Sequence, residues 1–463
     1  MSDHNIILDT DSYKASHWKQ YPPGTSSMFS YIESRGGQFD KTVFFGLQYY
    51  VKQYLTRGVT RDDVDEADAF YAGHGVPFNR KGWDHIADRI GWGKGYPVRI
   101  RAVPEGTVVP THNALVTIES TDPEVFWFAS WLETQLLRVW YPTNVATLSW
   151  HCKQVIRKYL EQTSDDANAE IAFKLHDFGS RGVSSQESAA IGGAAHLVNF
   201  MGSDTVVGVL TANRYYNEKM AAFSIPAAEH STITSWGREN EVHAYRNMLD
   251  KYAKPGALVA VVSDSYDIYN AIEKLWGGEL RQQVIDSGAT LVVRPDSGDP
   301  PTVVKKCLEL LDARFGHTIN TKGYRVLNNV RVIQGDGINL DSISSILWVA
   351  RDAGYSASNV AFGMGGALLQ QHNRDTQKFA MKCSSVTVNG EEVDVFKDPI
   401  DDKGKASKKG RLDLINHDGR LVTMSLPKGM IEFSNSVMRT VYEDGEIIVD
   451  DTLANIRERA NKG

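Results

Sequence analysis

Cysteine is scarce in this 463-residue chain: Cys152, Cys307 and Cys383 are the only three. An odd, widely spaced set builds neither a disulfide framework nor a zinc site, and it fits a reducing compartment. A basic excess is missing too. Against 57 Asp and Glu stand 50 Lys and Arg, a formal net charge of −7, which speaks against a general nucleic-acid binder because such a surface must be positive. No apolar run approaches the ~18 residues of a membrane span. The first residues, with Asp3, Asp9 and Asp11, lack the basic start and apolar core of a secretory leader. The expectation is a cytoplasmic protein with neither nucleic acid nor membrane as partner. With 42% apolar and 23% charged residues the composition is globular. At ~100–200 residues per domain, the length suggests two or three domains.

Several catalytic signatures are absent as well. HExxH and CxxC spacings do not occur, so no protein-bound metal is predicted. No GxSxG stands at a strand-to-helix turn, and neither a dinucleotide fingerprint nor a P-loop is found. What is present is a change of rhythm. Residues 97–119 alternate with turn signals and predict a β-meander. Helical stretches follow over 124–140 and 146–161, with Pro142 as the expected breaker. From about Ile171, short apolar runs recur, each followed by a helical segment: IAFKLHDFGSRG, TVVGVL, ALVAVVSDS, TLVVRPDSG, VRVIQGDG and VAFGMGG. That pattern predicts a parallel sheet covered by helices, and six such units predict a closed or nearly closed α/β barrel. Alternation returns after Arg374, ahead of a basic loop over 403–411. The expected organisation is a β-rich domain from 1–145 and 375–463, with the barrel, 146–374, inserted between.

In such barrels the working residues stand at the carboxyl ends of the strands. Those ends carry Asp177, Arg181, Asp264, Arg294, Asp296, Asp336 and the cluster Gly363-Met364-Gly365-Gly366. Glycines ahead of a helix start can bring free N–H groups to an anion, or simply make a tight turn. A carboxylate beside glycines, as in Gly335-Asp336-Gly337, can accept from both ribose hydroxyls, and an arginine can grip a phosphate with two bonds. Phe178 can stack on a flat ring. Ser184 and Glu187 have the spacing of a capping box. His230, in Pro-Ala-Ala-Glu-His-Ser, is either a satisfied histidine or a catalyst flanked by Glu229.

Together these stretches resemble the nicotinamide phosphoribosyltransferases, from Asn5 to about Asp450. The resemblance rests on Thr10-Asp-Ser-Tyr-Lys, His176-Asp-Phe-Gly-Ser-Arg-Gly, Ile225-Pro-Ala-Ala-Glu-His-Ser-Thr-Ile-Thr, Val262-Ser-Asp-Ser-Tyr-Asp, Arg294-Pro-Asp-Ser-Gly and Gln334-Gly-Asp-Gly. It implies a type II phosphoribosyltransferase-like irregular α/β barrel with a second, β-rich domain built from both chain ends. The implied reaction joins nicotinamide to 5-phosphoribosyl 1-diphosphate, giving nicotinamide mononucleotide and diphosphate in NAD salvage. ATP hydrolysis through a phosphohistidine at His230 is coupled to it, with Asp264 holding the ring and Glu229 adjacent. The resemblance puts the nicotinamide ring between Phe178 and Tyr13 of a second copy, with Asp204 accepting from the carboxamide. It assigns phosphates to Arg181 and Arg294, the ribose surroundings to Asp296, Gly335 and Asp336, and the 5′-phosphate to Gly365, Gly366 and Arg374, the last from across a homodimer. Asp11 falls among the substrate-binding positions. Arg35, Lys382, Lys397 and Lys405 line the phosphate channel, and Mg²⁺ arrives with the diphosphate. Better-known members have a longer 35–42 loop and serines at the positions of Met364, Ala380 and Ala260. The alternatives are a nicotinate-preferring transferase, against which Asp204 speaks, and a non-catalytic ligand-binding homologue.

Overall fold

Five of the six apolar runs contain a strand of one parallel sheet. In the computed structural model, which describes residues 5–398 and 407–463, the chain divides into two compact units. One comprises Leu148–Asn213 and Lys219–Gln371. Its strands are β1 (Leu175–Asp177), β2 (Gly202–Ser203), β3 (Leu258–Val262), β4 (Thr290–Arg294), β5 (Val330–Gln334) and β6 (Val360–Met364). They lie in the order β2-β1-β6-β5-β4-β3, every pair parallel. Residues 223–228 connect the two edges. Ser203 N donates to Phe223 O (3.2 Å) and Phe223 N to Met201 O (2.8 Å); Ala260 N donates to Pro226 O and Ala228 N to Ala260 O (both 3.0 Å). An irregular seventh strand therefore closes the barrel.

The TVVGVL run is not a strand. It opens the helix Val206–Tyr216, and the strand is the two-residue Gly202–Ser203 just before it. A short apolar run fits a buried helix as well as a buried strand. The deciding contact is long-range: a methyl on Gly208 would stand 2.8 Å from the backbone of Gly193. Bare backbones thus let this helix cross Gln186–His196 closely. That second helix is capped by Ser185, which accepts from Ser188 N, and not by the expected Ser184.

The other unit comprises Met1–Thr147, Arg214–Glu218 and His372–Gly463. Its main sheet runs Glu391–Asp394, Phe379–Val388, Thr25–Ser34, Ala114–Ser120, Val98–Ala102, Arg439–Glu443 and Glu446–Ile447, antiparallel throughout. Residues 97–119 are not a plain meander, because Val108–Pro110 pairs with Lys41–Val43 instead. The expected break at Pro142 is also absent. Pro142 lies in the first turn of the helix Trp140–Thr163, where a missing N–H breaks no helical bond. Among the described residues, no helix is long and apolar enough to cross a membrane.

Candidate active site

Small and branched side chains inside the barrel leave it hollow. A cavity of about 1320 Å³ opens among Phe178, Arg181, Asp204, Glu229 and Arg294 at the carboxyl ends. Its wall is the apolar cluster of Ala260, Val292 and Ile333, against which Phe178, Ile225 and Ala361 pack. At the amino ends, Lys174 and Arg331 reach the same space.

Phe178 follows β1 and is held by its N–H, which donates to Met364 O (3.0 Å). Its ring packs on the bare backbone of β6, where a methyl at Gly363 would stand 1.9 Å from Cε2. Gly363 is thus required by a ring. At the β6 end, Gly365 and Gly366 open the short helix Gly366–Leu369. Among the described residues, nothing beyond its neighbours in its own helix lies within 4 Å of a methyl built on Gly366, so its backbone faces open space. The Met364 side chain is fully buried. Arg294 lies over Phe178, with Cζ 5.7 Å from the ring centroid, and its Nε and one terminal nitrogen donate to Asp296 Oδ1 (3.2 and 2.6 Å). Gly335 brings β5 alongside, 3.4 Å from Arg294 Nε by the same methyl test. Asp336, next to it, is exposed.

His230 begins the helix His230–Thr234, with Glu229 at the N-cap. Its Nε2 faces two carboxylates, Asp296 Oδ2 at 3.4 Å and Asp264 Oδ1 at 3.7 Å. Its Nδ1 lies 3.2 Å from Ser265 Oγ. Carboxylates around Nε2 call for a proton there, which leaves the lone pair on Nδ1. Asp264 Oδ2 accepts from Asp296 N (3.0 Å) and Ser297 Oγ (2.7 Å). Asp264 Oδ1 is buried without a hydrogen-bond partner among the described residues. Glu229 does not reach the ring; its carboxylate accepts from Ser231 Oγ.

Asp204 follows β2, lines the cavity and accepts from Ser224 Oγ. Behind it, burial lowers the pKa of His176, against the pull of Asp204. Burial also pushes Asp177 up to about 6, opposed by the Gly179 N–H and Thr205. Arg181, exposed in Ser180–Gly182, has no carboxylate in ion-pair range among the described residues.

The barrel unit thus collects Phe178, Arg181, Asp204, Glu229, His230, Asp264, Arg294, Asp296, Gly335, Asp336, Gly365 and Gly366. Asp11, Tyr13, Arg35, Arg374, Lys382 and Lys397 belong to the other unit. There Tyr13 is 58% exposed on the helix Ser12–Lys19, and Asp11 accepts from Thr134 Oγ1 (3.1 Å). Arg35 donates to Glu33 (2.9 Å) and Arg374 to Asp375 (3.2 Å). Partial burial lowers the Lys382 pKa; Glu133 opposes this, while Arg35, Arg374 and Lys14 add to it. These four cations share one neighbourhood. Lys397 is exposed, and Lys405 lies outside the described residues. The serines at 224, 265 and 297 were not foreseen, since a lone serine has no spacing signal; Ser265 and Ser297 stood inside quoted stretches, Ser224 did not.

A sequence profile of the nicotinate phosphoribosyltransferase family matches residues 173–446. One for the N-terminal domain of nicotinamide phosphoribosyltransferase matches residues 5–100. A nicotinamide phosphoribosyltransferase of Xanthomonas campestris is 59% identical, the match covering 99% of this chain and 98% of the relative. The chain belongs to the nicotinamide phosphoribosyltransferase family. It is a pentosyltransferase. A second member, from Acinetobacter baylyi, is 30% identical over 98% of this chain and 97% of its own. The fold is shared more widely, at 16% identity, with a nicotinate-nucleotide pyrophosphorylase from Pyrococcus furiosus (TM-score 0.62, covering 100% of this chain and 96% of that one). Human nicotinic acid phosphoribosyltransferase shares it at 14% identity (TM-score 0.55, 98% and 93%). The architecture is the type II phosphoribosyltransferase α/β fold.

Proposed function

We propose that this member transfers the phosphoribosyl group of 5-phosphoribosyl 1-diphosphate to nicotinamide, yielding nicotinamide mononucleotide and diphosphate for NAD salvage. The observation that carries the reading is the Asp204 carboxylate on the wall of a cavity that also holds the Phe178 ring. A carboxylate accepts from a carboxamide NH₂ and repels the carboxylate of nicotinate, so one group both binds and discriminates. Beside it, the neutral His176 leaves that charge uncompensated.

The pyridine nitrogen is a modest nucleophile, so rate must come from alignment and from stabilising the departing diphosphate. Phe178 offers the base a π-face, and Arg294, which lies over the same ring, can grip a phosphate with two bonds. Arg181, with no carboxylate in ion-pair range among the described residues, can take a phosphate, and Gly365 and Gly366 offer backbone N–H groups at a helix start. Mg²⁺ carried by the diphosphate would find oxygen donors in the carboxylates of Asp296 and Asp264, the latter with a buried Oδ1 that has no hydrogen-bond partner among the described residues. Such an ion would neutralise diphosphate charge. ATP-linked phosphorylation of His230 belongs to the same proposal, with Nδ1 as the nucleophilic nitrogen and the carboxylates supporting the opposite N–H. A homodimer in which the second copy supplies Tyr13 and Arg374 completes it.

The test is purified protein with 5-phosphoribosyl 1-diphosphate and Mg²⁺, given nicotinamide or nicotinate in parallel, with and without ATP. Mononucleotide from nicotinate alone would overturn the assignment. Asp204→Asn should lose most of the preference for nicotinamide. If His230→Ala abolished ATP hydrolysis yet kept the stimulation by ATP, the phosphohistidine would be wrong, and a fully active monomer would refute the shared site.

A further inference from the structure

We infer that Ser224 is a positioning residue for base selection: its hydroxyl holds the Asp204 carboxylate turned so that the second oxygen meets the carboxamide. The inference rests on the reading of Asp204 given above. Ser224 Oγ donates to Asp204 Oδ1, and among the described residues no other hydrogen bond reaches either carboxylate oxygen. One oxygen is therefore satisfied within the chain and the other is left for a ligand. The terminal torsion of an aspartate is broad and roughly two-fold, so a free Asp204 would spread its charge over a range of directions. A donor on one oxygen removes that freedom before the base arrives, which is the advantage of pre-organisation.

Ser224 thus strengthens the acceptance of nicotinamide and the rejection of nicotinate through one bond, by fixing the direction in which the Asp204 charge points.

The position suits the task because the strand does not need the serine hydroxyl. Ser224 lies on the irregular strand 223–228, and this strand is fixed by backbone bonds: Phe223 N to Met201 O, Ser203 N to Phe223 O and Ala260 N to Pro226 O. Removing Oγ leaves those bonds in place, so the barrel should close as before.

The experiment compares wild type, Ser224→Ala and Ser224→Thr in steady-state kinetics with each base, alongside nicotinamide Kd by calorimetry and thermal midpoints. A hydrogen bond to a charged group is worth about tenfold or more in affinity. Ser224→Ala should accordingly raise the nicotinamide KM and Kd about tenfold, with kcat within about twofold and the midpoint unchanged. Its preference for nicotinamide over nicotinate should fall about tenfold, and Ser224→Thr should restore both. In an Asp204→Asn background, Ser224→Ala should add nothing. An unchanged KM, a parallel loss with both bases, a threonine variant as poor as the alanine one, or an undiminished penalty beside Asp204→Asn would each overturn the inference. Failure of the underlying reading shows separately, as wild-type turnover of nicotinate alone.

Discussion

Replacing Gly363 by alanine tests whether the glycine cluster at the end of β6 serves a ring, a phosphate or both. The methyl would stand 1.9 Å from Cε2, 2.1 Å from Cδ2 and 2.7 Å from Cζ of Phe178. Carbon atoms settle at about 3.5 Å, so the ring must retreat by about 1.5 Å. It has little room to do so. Its N–H is tied to Met364 O, and the following Gly179 is pressed against Leu369, where an added methyl would be 2.7 Å from Cγ. Overpacking of this kind costs about 1–3 kcal/mol of stability, and a reactant misplaced by about 1 Å can lose ~10²-fold in rate. Gly363→Ala should lower the thermal midpoint and cut kcat/KM for nicotinamide by about 10²-fold. Gly366→Ala is the control, since among the described residues nothing beyond its own helix lies within 4 Å of its methyl; it should keep the midpoint and the nicotinamide KM. Calorimetry and initial rates with each substrate varied suffice. A Gly363→Ala enzyme with wild-type midpoint and wild-type nicotinamide KM would show that the ring does not rest on that backbone.

Two further outcomes follow from buried charge and from fork geometry. Glu105 is buried and accepts from Gln48 N (2.6 Å) and Gly46 N (3.0 Å); burial pushes its pKa up from 4.5 to about 7, while those N–H groups pull the other way. Because the folded state holds the proton more tightly, this contribution is fully present below about pH 4.5 and is lost as pH rises through about 7, by about 3 kcal/mol. Denaturant unfolding from pH 5 to 8 should show wild type losing stability relative to Glu105→Gln; parallel curves would contradict it. Arg294→Lys keeps the charge but can neither bond Asp296 with two nitrogens nor spread over Phe178. It should lower kcat/KM about tenfold or more in the transferase assay, and full activity would mean that a point charge is enough.

The parts legible in the sequence were those whose cause is local. The runs at 258–262, 290–294, 330–334 and 360–364 are apolar because both faces of a parallel strand are covered, and nothing further along the chain is needed to see it. The strand at 202–203 was hidden because two residues carry no period, and because the helix behind it begins with an apolar run. The seventh strand was hidden for a different reason. Residues 223–228 contain Pro226 and pair through isolated bridges with β2 and β3, so only closure of the barrel makes them a strand. The candidate site divides likewise. Arg294 and Asp296 could be picked out as a strand-end pair, whereas the approach of Asp264 to the His230 ring spans more than thirty positions and had no pattern of its own.

The arginines that the resemblance assigns to phosphate mostly come with a carboxylate close by in sequence. Arg35 has Glu33, Arg294 has Asp296 and Arg374 has Asp375, each within two residues. A neighbour so near orients the guanidinium at small entropic cost; of the three, the Arg374–Asp375 pair is exposed and of the weak kind, while Arg294–Asp296 is half-buried and Glu33 is buried. A diphosphate brings more charge and several bidentate edges, so it should win the arginine from the carboxylate. Asp296 released from Arg294 is then available on the side where its other oxygen already faces His230, at 3.4 Å. Binding of the substrate would therefore strengthen the carboxylate support of the imidazole. Arg181, which has no such partner, would make the first contact without any exchange. The formal charge of −7 fits this arrangement: the carboxylates in surplus include those that keep the arginines in place until a stronger anion arrives.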